Sequence, residues 1–178
     1  MYETERLILE AVSDEAVKEL YSFYNDYDLM AGIETTANWV APQTLEQLIE
    51  DTKGGAARFI VRLKESSEVI GYASIGTNWI ARVSDPLLYL GKKWRGQGLG
   101  KELLDRLLRI MFYEINARKC SITVFSFNAA AIKVYLAAGF TQEGRLREEL
   151  YRKGDYYDVI KLRLLRTEYE KLKGGRFV

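Results

Sequence analysis

The sequence predicts an α+β (three-layer α/β) fold: a mixed, mostly antiparallel central sheet of about seven strands flanked by about four helices. Two observations predict it. Segments whose apolar residues recur every second position alternate with segments whose apolar residues recur every three or four positions. The order of these segments is βααβββαβαββ, so parallel pairing is expected only around the two crossover helices. Because no linker or repeat divides the 178 residues, one domain over residues 1–178 is expected, with about 170–178 as a flexible tail.

The first part of the chain contains two helices and three strands. Ser13 precedes the first helix, which runs to about residue 24, and Thr44 with Gln47 forms a capping box for the second. The strands are predicted at residues 6–10, 57–64 and 69–75.

The second part begins with a short apolar strand at residues 87–90. A long helix follows from Gly98, with leucines at steps of three and four along one face. A strand at 120–125 precedes a helix at 128–138, where Gly139 provides a left-handed cap and Phe140 its apolar contact. Strands near 145–152 and 156–165 flank a turn at 153–155 and complete the chain.

Composition excludes several classes of function. The chain has 26 Lys and Arg against 25 Asp and Glu, so its charge indicates neither a nucleic-acid nor a membrane partner. It has one cysteine and no histidine, which excludes catalytic triads that use histidine, and we expect no metal site. Acid–base chemistry must therefore use carboxylates, Tyr, Lys, Cys or water. The charged start and the short apolar runs lead us to expect a soluble cytoplasmic protein.

A basic, glycine-rich segment lies between the strand at 87–90 and the long helix. It reads Gly91-Lys-Lys-Trp-Arg-Gly-Gln-Gly-Leu-Gly-Lys101. Glycines let backbone N–H groups turn toward a ligand, and a helix N-terminus attracts anions. The segment therefore predicts a phosphate site, the alternative being a tight turn with a solvated basic surface.

Two common phosphate-binding patterns do not fit this segment. A Walker loop ending at Gly100-Lys101 requires Gly at position 95 and Ser or Thr at 102, where the chain has Arg95 and Glu102. The dinucleotide pattern requires Gly at 101 or 103, and neither position has one. What remains is Arg95-x-x-Gly98-x-Gly100 directly after an apolar strand.

That pattern resembles the pyrophosphate loop of the GNAT superfamily of N-acetyltransferases. The segment Asn128-x-x-Ala131-x-x-x-Tyr135-x-x-x-Gly139-Phe140 resembles the second block of the family. The opening Thr4-Glu-Arg-Leu-Ile-Leu9 and the region 139–169 also fit, so that the resemblance spans nearly the whole chain. These blocks resemble the branch of ribosomal-protein N-terminal and spermidine acetyltransferases. The resemblance implies a GNAT fold with a splayed parallel strand pair and acetyl-CoA as cosubstrate.

The resemblance also implies which residues contact acetyl-CoA. Main-chain groups of Tyr89 and Leu90 would contact the pantetheine and the acetyl carbonyl, where a donor stabilises developing negative charge. The pyrophosphate contacts would be Arg95, Gly96, Gln97, Gly98, Leu99 and Gly100, with Lys101 and Lys133 at the outer phosphates.

Two residues of the second block have a function in the resembled family and an ordinary structural alternative. Asn128 would hydrogen-bond the pantetheine arm, and it also suits an N-cap. Tyr135, two helical turns later, would be the general acid that protonates the departing CoA thiolate; the alternative is a core aromatic. Cys120 is expected to be structural rather than nucleophilic.

The attacking amine must be neutral, so a base is needed. Many relatives place a Glu on the strand before the loop, and the matching position here is Asp85. The Asp85-Pro86 sequence is also typical of a turn, and Glu34 and water are the alternative bases.

The resemblance places the segment between the first two helices over the acceptor. Its carboxylates and aromatic rings suit a cationic amine, and the substrate contacts would be Tyr27, Glu34 and Trp39; the alternative is a solvated loop. We expect direct acetyl transfer to a primary amine, either a protein or peptide N-terminus or a small amine such as a polyamine or an amino-acid derivative. The alternatives are a catalytically silent acyl-CoA-binding module and a nucleotide-binding protein. A homodimer is also considered.

Overall fold

The structure is a computed structural model that describes residues 1–24, 44–51 and 57–174. The chain divides into two compact units, which are described separately below. The first comprises Met1–Gly76 and Leu87–Arg106, and the second comprises Thr77–Pro86 and Leu107–Val178. The expected single domain stays a prediction.

The described residues form eight strands, one more than predicted, because residues 2 and 3 form a short additional strand. The strands are β1 (Tyr2–Glu3), β2 (Leu7–Glu10), β3 (Ala57–Leu63), β4 (Val69–Asn78), β5 (Val83–Leu90), β6 (Lys119–Phe125), β7 (Thr141–Arg152) and β8 (Asp155–Leu165). They form one sheet in the order β1-β2-β3-β4-β5-β6-β8-β7. The mixed, mostly antiparallel sheet is thereby confirmed.

The helices of the first unit begin at the predicted caps. Helix α1 (Asp14–Tyr24) is capped by Ser13, whose Oγ accepts the N–H of Ala16 at 3.2 Å. Helix α2 (Leu45–Asp51) follows a reciprocal capping box, in which Gln47 Oε1 accepts the Thr44 N–H at 2.8 Å and Thr44 Oγ1 accepts the Gln47 N–H at 3.2 Å. Side chains from α1, β3, β4 and β5 form a buried core cluster: Ala16, Leu20, Ile60, Val69, Tyr72 and Tyr89.

The long central helix has two parts. Helix α3 (Leu99–Arg109) carries the predicted apolar face, whose leucines at 103, 104, 107 and 108 are almost completely buried. A π-helical turn (Ile110–Glu114) continues it, with the Ile115 N–H donating to the Ile110 carbonyl at 2.9 Å.

The second unit contains the parallel strand pair. Val83 pairs with Lys119 and Ser84 with Cys120, so β5 and β6 run parallel. The expectation of parallel pairing around both crossover helices was wrong for helix α4 (Ala129–Ala137). Strand β8 lies between β6 and β7 and pairs antiparallel with each, so the α4 crossover leads to no direct β6–β7 pair.

The C-terminal segment contains a further helix, the fifth among the described residues, that the sequence patterns did not indicate. Helix α5 (Arg166–Leu172) buries Tyr169, whose ring lies 5.1 Å from that of Phe112. The expected tail from about residue 170 is therefore helical up to Leu172, and residues 175–178 lie outside the described residues. None of the helices in the described ranges is long and apolar enough to cross a membrane.

Candidate functional site

The glycine-rich segment forms a defined loop between β5 and α3. A short 3₁₀ turn (Lys92–Trp94) follows the strand, and the Trp94 N–H donates to the Gly91 carbonyl at 3.0 Å. The Trp94 side chain is buried, which anchors this turn within the first unit. The loop therefore starts from a fixed point at the end of β5.

Two glycines give the loop its backbone path. Gly96 has φ of 76° and Gly98 has φ of 80°, a left-handed conformation that side chains with a Cβ rarely adopt. The Gly98 carbonyl accepts the N–H groups of Lys101 at 3.1 Å and Glu102 at 3.2 Å, which begins helix α3. The N–H groups of Leu99 and Gly100 thus lie in the first turn, where the helix itself supplies no acceptor.

The charged side chains of the loop face solvent. Arg95, Gln97 and Lys101 are exposed, and the Arg95 Nε donates to the Leu90 carbonyl at 3.0 Å. That bond holds the guanidinium beside the strand end. Exposed positive charge and first-turn N–H groups fit a phosphate, as the sequence predicted.

Leu90 and Tyr89 differ in which edge of β5 their main-chain N–H and C=O groups face. The Gly91 N–H donates to the Ile70 carbonyl of β4 at 2.9 Å, and successive residues of a strand present their main chain to opposite edges. Leu90 therefore presents its main chain to the edge away from β4, which suits the predicted ligand contact. The Tyr89 ring is buried and stacks on Tyr72 at 5.7 Å, so the expected cofactor role of Tyr89 stays a prediction.

Strand β4 approaches the end of β5 unusually closely. A Cβ on Gly71 would lie 2.1 Å from the Tyr89 carbonyl oxygen and 2.8 Å from Leu90 Cδ2. No side chain larger than glycine fits there without displacing β5. Gly71 is thus part of what fixes the strand before the loop, although the sequence patterns gave it no role.

Arg6 also contacts the loop, and sequence reasoning missed it. Its Nη1 donates to the Gln97 carbonyl at 3.0 Å, and its Nη2 lies 2.7 Å from Glu102 Oε2. Arg6 belongs to the opening block Thr4-Glu-Arg-Leu-Ile-Leu9, which carried the family resemblance without an assigned function. The resemblance of that block to the family was the only sequence feature that pointed to a function for Arg6.

Asp85 lies within strand β5 in the second unit, and the turn predicted as its alternative role does not form. It follows Ser84, which pairs with Cys120 on β6. The Asp85 side chain is exposed, yet the surrounding protein displaces enough water to raise the pKa of its carboxyl group. A carboxylate with a raised pKa is a stronger base than one in open solvent.

Tyr135 lies on α4, whose C-terminus has the predicted glycine cap. The Phe140 N–H donates to the Tyr135 carbonyl at 3.1 Å and the Gly139 N–H to the Leu136 carbonyl at 3.0 Å, which defines a Schellman motif. Burial raises the pKa of Tyr135 to about 12, and the nearby Cys120 thiol contributes to the shift. The phenol therefore stays protonated at neutral pH, as a proton donor must.

Cys120 lies near both the Asp85 carboxylate and the Tyr135 phenol and interacts electrostatically with each. It is fully buried, and burial raises the pKa of its thiol well above the ordinary range, with the Asp85 carboxylate raising it further. The structure thus brings the base candidate Asp85 and the acid candidate Tyr135 within electrostatic reach of one thiol. Because that thiol stays neutral, it fits the expected structural role and not that of a nucleophile.

Asn128 caps helix α4 as predicted. Its Oδ1 accepts the Ala131 N–H at 3.2 Å. Lys133 is exposed on the same helix. The contacts of both residues with CoA stay predictions.

The predicted acceptor contacts Tyr27, Glu34 and Trp39 lie outside the described residues, as does the choice of Glu34 as base. Within the described ranges, no group of three or more Cys, Asp or Glu side chains is arranged to hold a metal ion.

Comparison with known protein sequences gives several matches. The family model described as acetyltransferase (GNAT) family matches residues 15–140. The uncharacterized N-acetyltransferase p20 of Bacillus licheniformis is 30% identical over 93% of this chain and 96% of that protein. The spermidine N(1)-acetyltransferase of Vibrio cholerae is 29% identical over 63% of this chain. That match spans 65% of the spermidine enzyme, somewhat less than two thirds of its length.

A further match is stronger but shorter. The prophage-derived N-acetyltransferase YokL of Bacillus subtilis is 40% identical over 43% of this chain, and the match spans 44% of that protein. Among solved structures, the spermidine N-acetyltransferase of Vibrio cholerae in complex with CoA and spermine has a TM-score of 0.82 and 24% identity. The match covers 93% of this chain and 99% of the Vibrio chain, which shows that the two have the same fold.

Proposed function

Because the chain belongs to the acetyltransferase (GNAT) family, we propose that it transfers the acetyl group of acetyl-CoA directly to a primary amine. The observation that carries the proposal is the placement of Tyr135. Its phenol lies near the buried Cys120 thiol, which in turn lies near the Asp85 carboxylate, so a proton donor and a carboxylate base lie near the same buried side chain. A silent CoA-binding module has no need of such a proton donor.

The loop after β5 is the proposed site of the CoA pyrophosphate. The left-handed glycines Gly96 and Gly98 allow close approach of the backbone, and the first turn of α3 offers N–H groups. Arg95 and Lys101 supply charge that pairs with phosphate oxygens. The main chain of Leu90 is proposed to contact the pantetheine as an added strand would.

Tyr135 is the proposed general acid. As the C–S bond of the tetrahedral intermediate breaks, the departing CoA thiolate takes a proton from this phenol and leaves as a neutral thiol, and the phenolate regains a proton from water. The reference pKa of a thiol is about 8.5, so the pKa of about 12 at Tyr135 makes this transfer uphill, and the free energy released as the thioester becomes an amide offsets it. The fully buried Cys120 is unsuited to carry the acetyl group, and this supports direct transfer.

Asp85 is the proposed general base. Its carboxylate would take a proton from the ammonium form of the acceptor, directly or through one water, before the amine attacks the thioester carbonyl. Burial raises the pKa of the Asp85 carboxyl, which makes its carboxylate a stronger base than an ordinary one and favours this step. A water molecule acting without Asp85 is the alternative.

The acceptor is proposed to be a cationic primary amine, such as a polyamine, an amino-acid derivative or a peptide N-terminus. The names of the relatives support the amine class, since two of them are a spermidine N(1)-acetyltransferase and an L-amino acid N-acetyltransferase. Cytoplasmic location and a homodimer also stay predictions.

A thiol-release assay tests the function. Purified protein is incubated with acetyl-CoA and a panel containing spermidine, spermine, single amino acids and short peptides with free N-termini. Release of CoA together with an amine product heavier by the mass of one acetyl group supports the proposal. Tight CoA binding with no turnover on any amine supports the silent module, and stabilisation by ATP without a response to CoA supports the nucleotide-binding alternative.

A further inference from the structure

We propose that Arg6 is a positioning residue for the phosphate-binding loop: its guanidinium, held by Glu102, which Thr4 in turn holds, orients the peptide between Gln97 and Gly98 so that the Gly98 N–H faces the bound anion. The inference rests on the proposed function, since it assumes that the loop binds the pyrophosphate of CoA. The three side chains, Thr4, Arg6 and Glu102, and the loop lie in the first unit.

The guanidinium of Arg6 contacts two partners in different ways. Its Nη1 donates to the Gln97 carbonyl at 3.0 Å, and its Nε donates to Glu102 Oε2 at 2.8 Å. Because the guanidinium is planar and its donors are fixed, these bonds set the direction of the Gln97 carbonyl relative to helix α3.

The direction of that carbonyl determines the direction of the next N–H. In a planar trans peptide, the C=O of one residue and the N–H of the following residue point in opposite directions. When the Gln97 carbonyl points to Arg6, the Gly98 N–H points away from Arg6. A Cβ on Gly98 would lie 3.5 Å from Arg6 Nη2, so the arginine covers one side of this glycine and leaves the other for a ligand.

Glu102 is itself held from several directions. Its Oε1 accepts the Arg6 N–H at 2.8 Å and the Thr4 hydroxyl at 2.5 Å, and Thr4 Oγ1 accepts the Leu7 N–H at 2.9 Å. Burial opposes ionisation, but the hydrogen bonds from Thr4 and Arg6 outweigh it and lower the pKa of Glu102. The carboxylate therefore stays charged and keeps Arg6 in place.

The pair also balances charge near the loop. Glu102 lies in the first turn of α3, where its negative charge would repel a phosphate bound at the helix N-terminus. The Arg6 guanidinium forms an ion pair with Glu102 and so neutralises that charge. Loss of Arg6 would therefore both release the Gln97 carbonyl and leave an anion beside the phosphate.

Arg62 offers a matched control in the same unit. Its Nη1 donates to the Ser67 carbonyl at 2.9 Å, and it forms ion pairs with Glu10 and Glu19. It thus holds one carbonyl and a carboxylate, as Arg6 does, but its partners lie on β2, α1 and the β3–β4 turn. R62A removes an equivalent set of contacts that have no part in the loop.

The experiment measures CoA binding by titration calorimetry for the wild type, R6A, R6K and R62A, with thermal denaturation of each. R6A is expected to weaken CoA binding about 10- to 100-fold, the range for lost hydrogen bonds to a charged group. R6K keeps the charge but cannot contact Gln97 and Glu102 together, so its affinity should be intermediate. R62A should bind CoA as the wild type does.

A second readout separates positioning from general damage. S-acetylpantetheine lacks the pyrophosphate, so kcat/KM with this donor should be the same for R6A and the wild type, while kcat/KM with acetyl-CoA falls. Equal losses with both donors, or an equal loss of CoA affinity in R62A, would overturn the inference. If R6A does not fold, the R6K variant provides the test instead. CoA affinity in R6K equal to that of the wild type would also overturn the inference.

The two proposals fail in different ways. A wild-type protein that binds no CoA contradicts the proposed function and the inference with it. A wild-type protein that binds CoA, with R6A binding equally well, contradicts the inference alone.

Discussion

The ring of Tyr135 lies 5.7 Å from the ring of Phe140, at an angle of 57°. The two residues are C3 and C″ of the Schellman motif that ends helix α4, positions that commonly share an apolar contact. The helix cap thus holds the proposed acid in place. Phe140 is buried, so its ring is the fixed member of the pair.

Replacement of Phe140 by leucine should lower kcat by more than the accompanying loss of stability explains. F140L keeps an apolar side chain but removes the aromatic contact, so the Tyr135 ring loses its support. We expect kcat to fall severalfold while KM for acetyl-CoA changes little. F112L is the matched control, because Phe112 is also buried in the second unit but contacts Tyr169. An equal fall in kcat for F112L at equal loss of stability would contradict the role of the cap.

Removal of the Tyr135 hydroxyl should reduce turnover without affecting cofactor binding. Y135F is expected to lower kcat by roughly 10²- to 10⁴-fold, the usual contribution of general acid catalysis. CoA affinity by calorimetry should stay within about twofold, since the ring remains. Full activity of Y135F would exclude Tyr135 as the acid.

The pKa of Tyr135 also predicts a pH dependence. The folded-state pKa of about 12 lies above the ordinary value of 10, so the folded protein keeps this proton where the unfolded chain loses it. The resulting stabilisation is complete below pH 10 and is lost as the pH rises toward 12. In Y135F, unfolding measured from pH 9 to pH 12 should show a smaller decline in stability than the wild type, by about 2 kcal/mol at pH 12. Identical declines would contradict the assigned pKa.

Asp85 should determine the acidic limb of the rate profile. A base must be deprotonated, so kcat/KM for the amine should fall as the pH drops through the pKa of Asp85, which is raised above its ordinary 3.8. D85N should remove this limb and lower the rate at neutral pH. Because a raised pKa means that folding disfavours the charged carboxylate, D85N should be at least as stable as the wild type at pH 7. Unchanged kcat/KM and an unchanged limb in D85N would favour water as the base.

Two glycines with positive φ offer a controlled test of the loop. Gly96 (φ 76°) and Gly154 (φ 95°) each have open space where a Cβ would be. G96A and G154A should therefore cost a similar amount of stability, roughly 1 kcal/mol, from backbone strain alone. Only G96A should weaken CoA binding, by about tenfold or more, since Gly154 lies in the β7–β8 turn. Equal CoA affinity in the two variants would contradict the placement of the anion at the loop.

Local patterns predicted most of the fold because most elements have a local cause. The caps at Ser13 and Thr44 and the glycine cap at Gly139 all formed where the residue types indicated. Strand β5 was predicted to start too late, at residue 87 instead of 83, because Asp85-Pro86 favours a turn. In the structure Ser84 pairs with Cys120, and its Oγ lies 3.0 Å from Thr77 Oγ1, so tertiary pairing extends the strand past the local turn preference.

The site was predictable only in part, for a related reason. Motif spacing identified the loop and Tyr135, since both depend on residues close in sequence. The proximity of Asp85 to Cys120 depends on strand register, and the role of Gly71 depends on the distance between two strands. Helix α5 was missed because its main anchors, the buried Tyr169 and the Glu168 carboxylate that accepts the Leu165 N–H, do not form an apolar stripe.

The bond between Arg6 and Glu102 joins residues 96 positions apart. Closing so long a segment costs conformational entropy before any contact compensates for it, and such contacts form late during folding. The loop backbone can bend at its glycines soon after synthesis, but it reaches its final geometry only when the first strands have paired and the N-terminal segment has docked. We therefore expect the loop to reach its final geometry as one of the last events of folding.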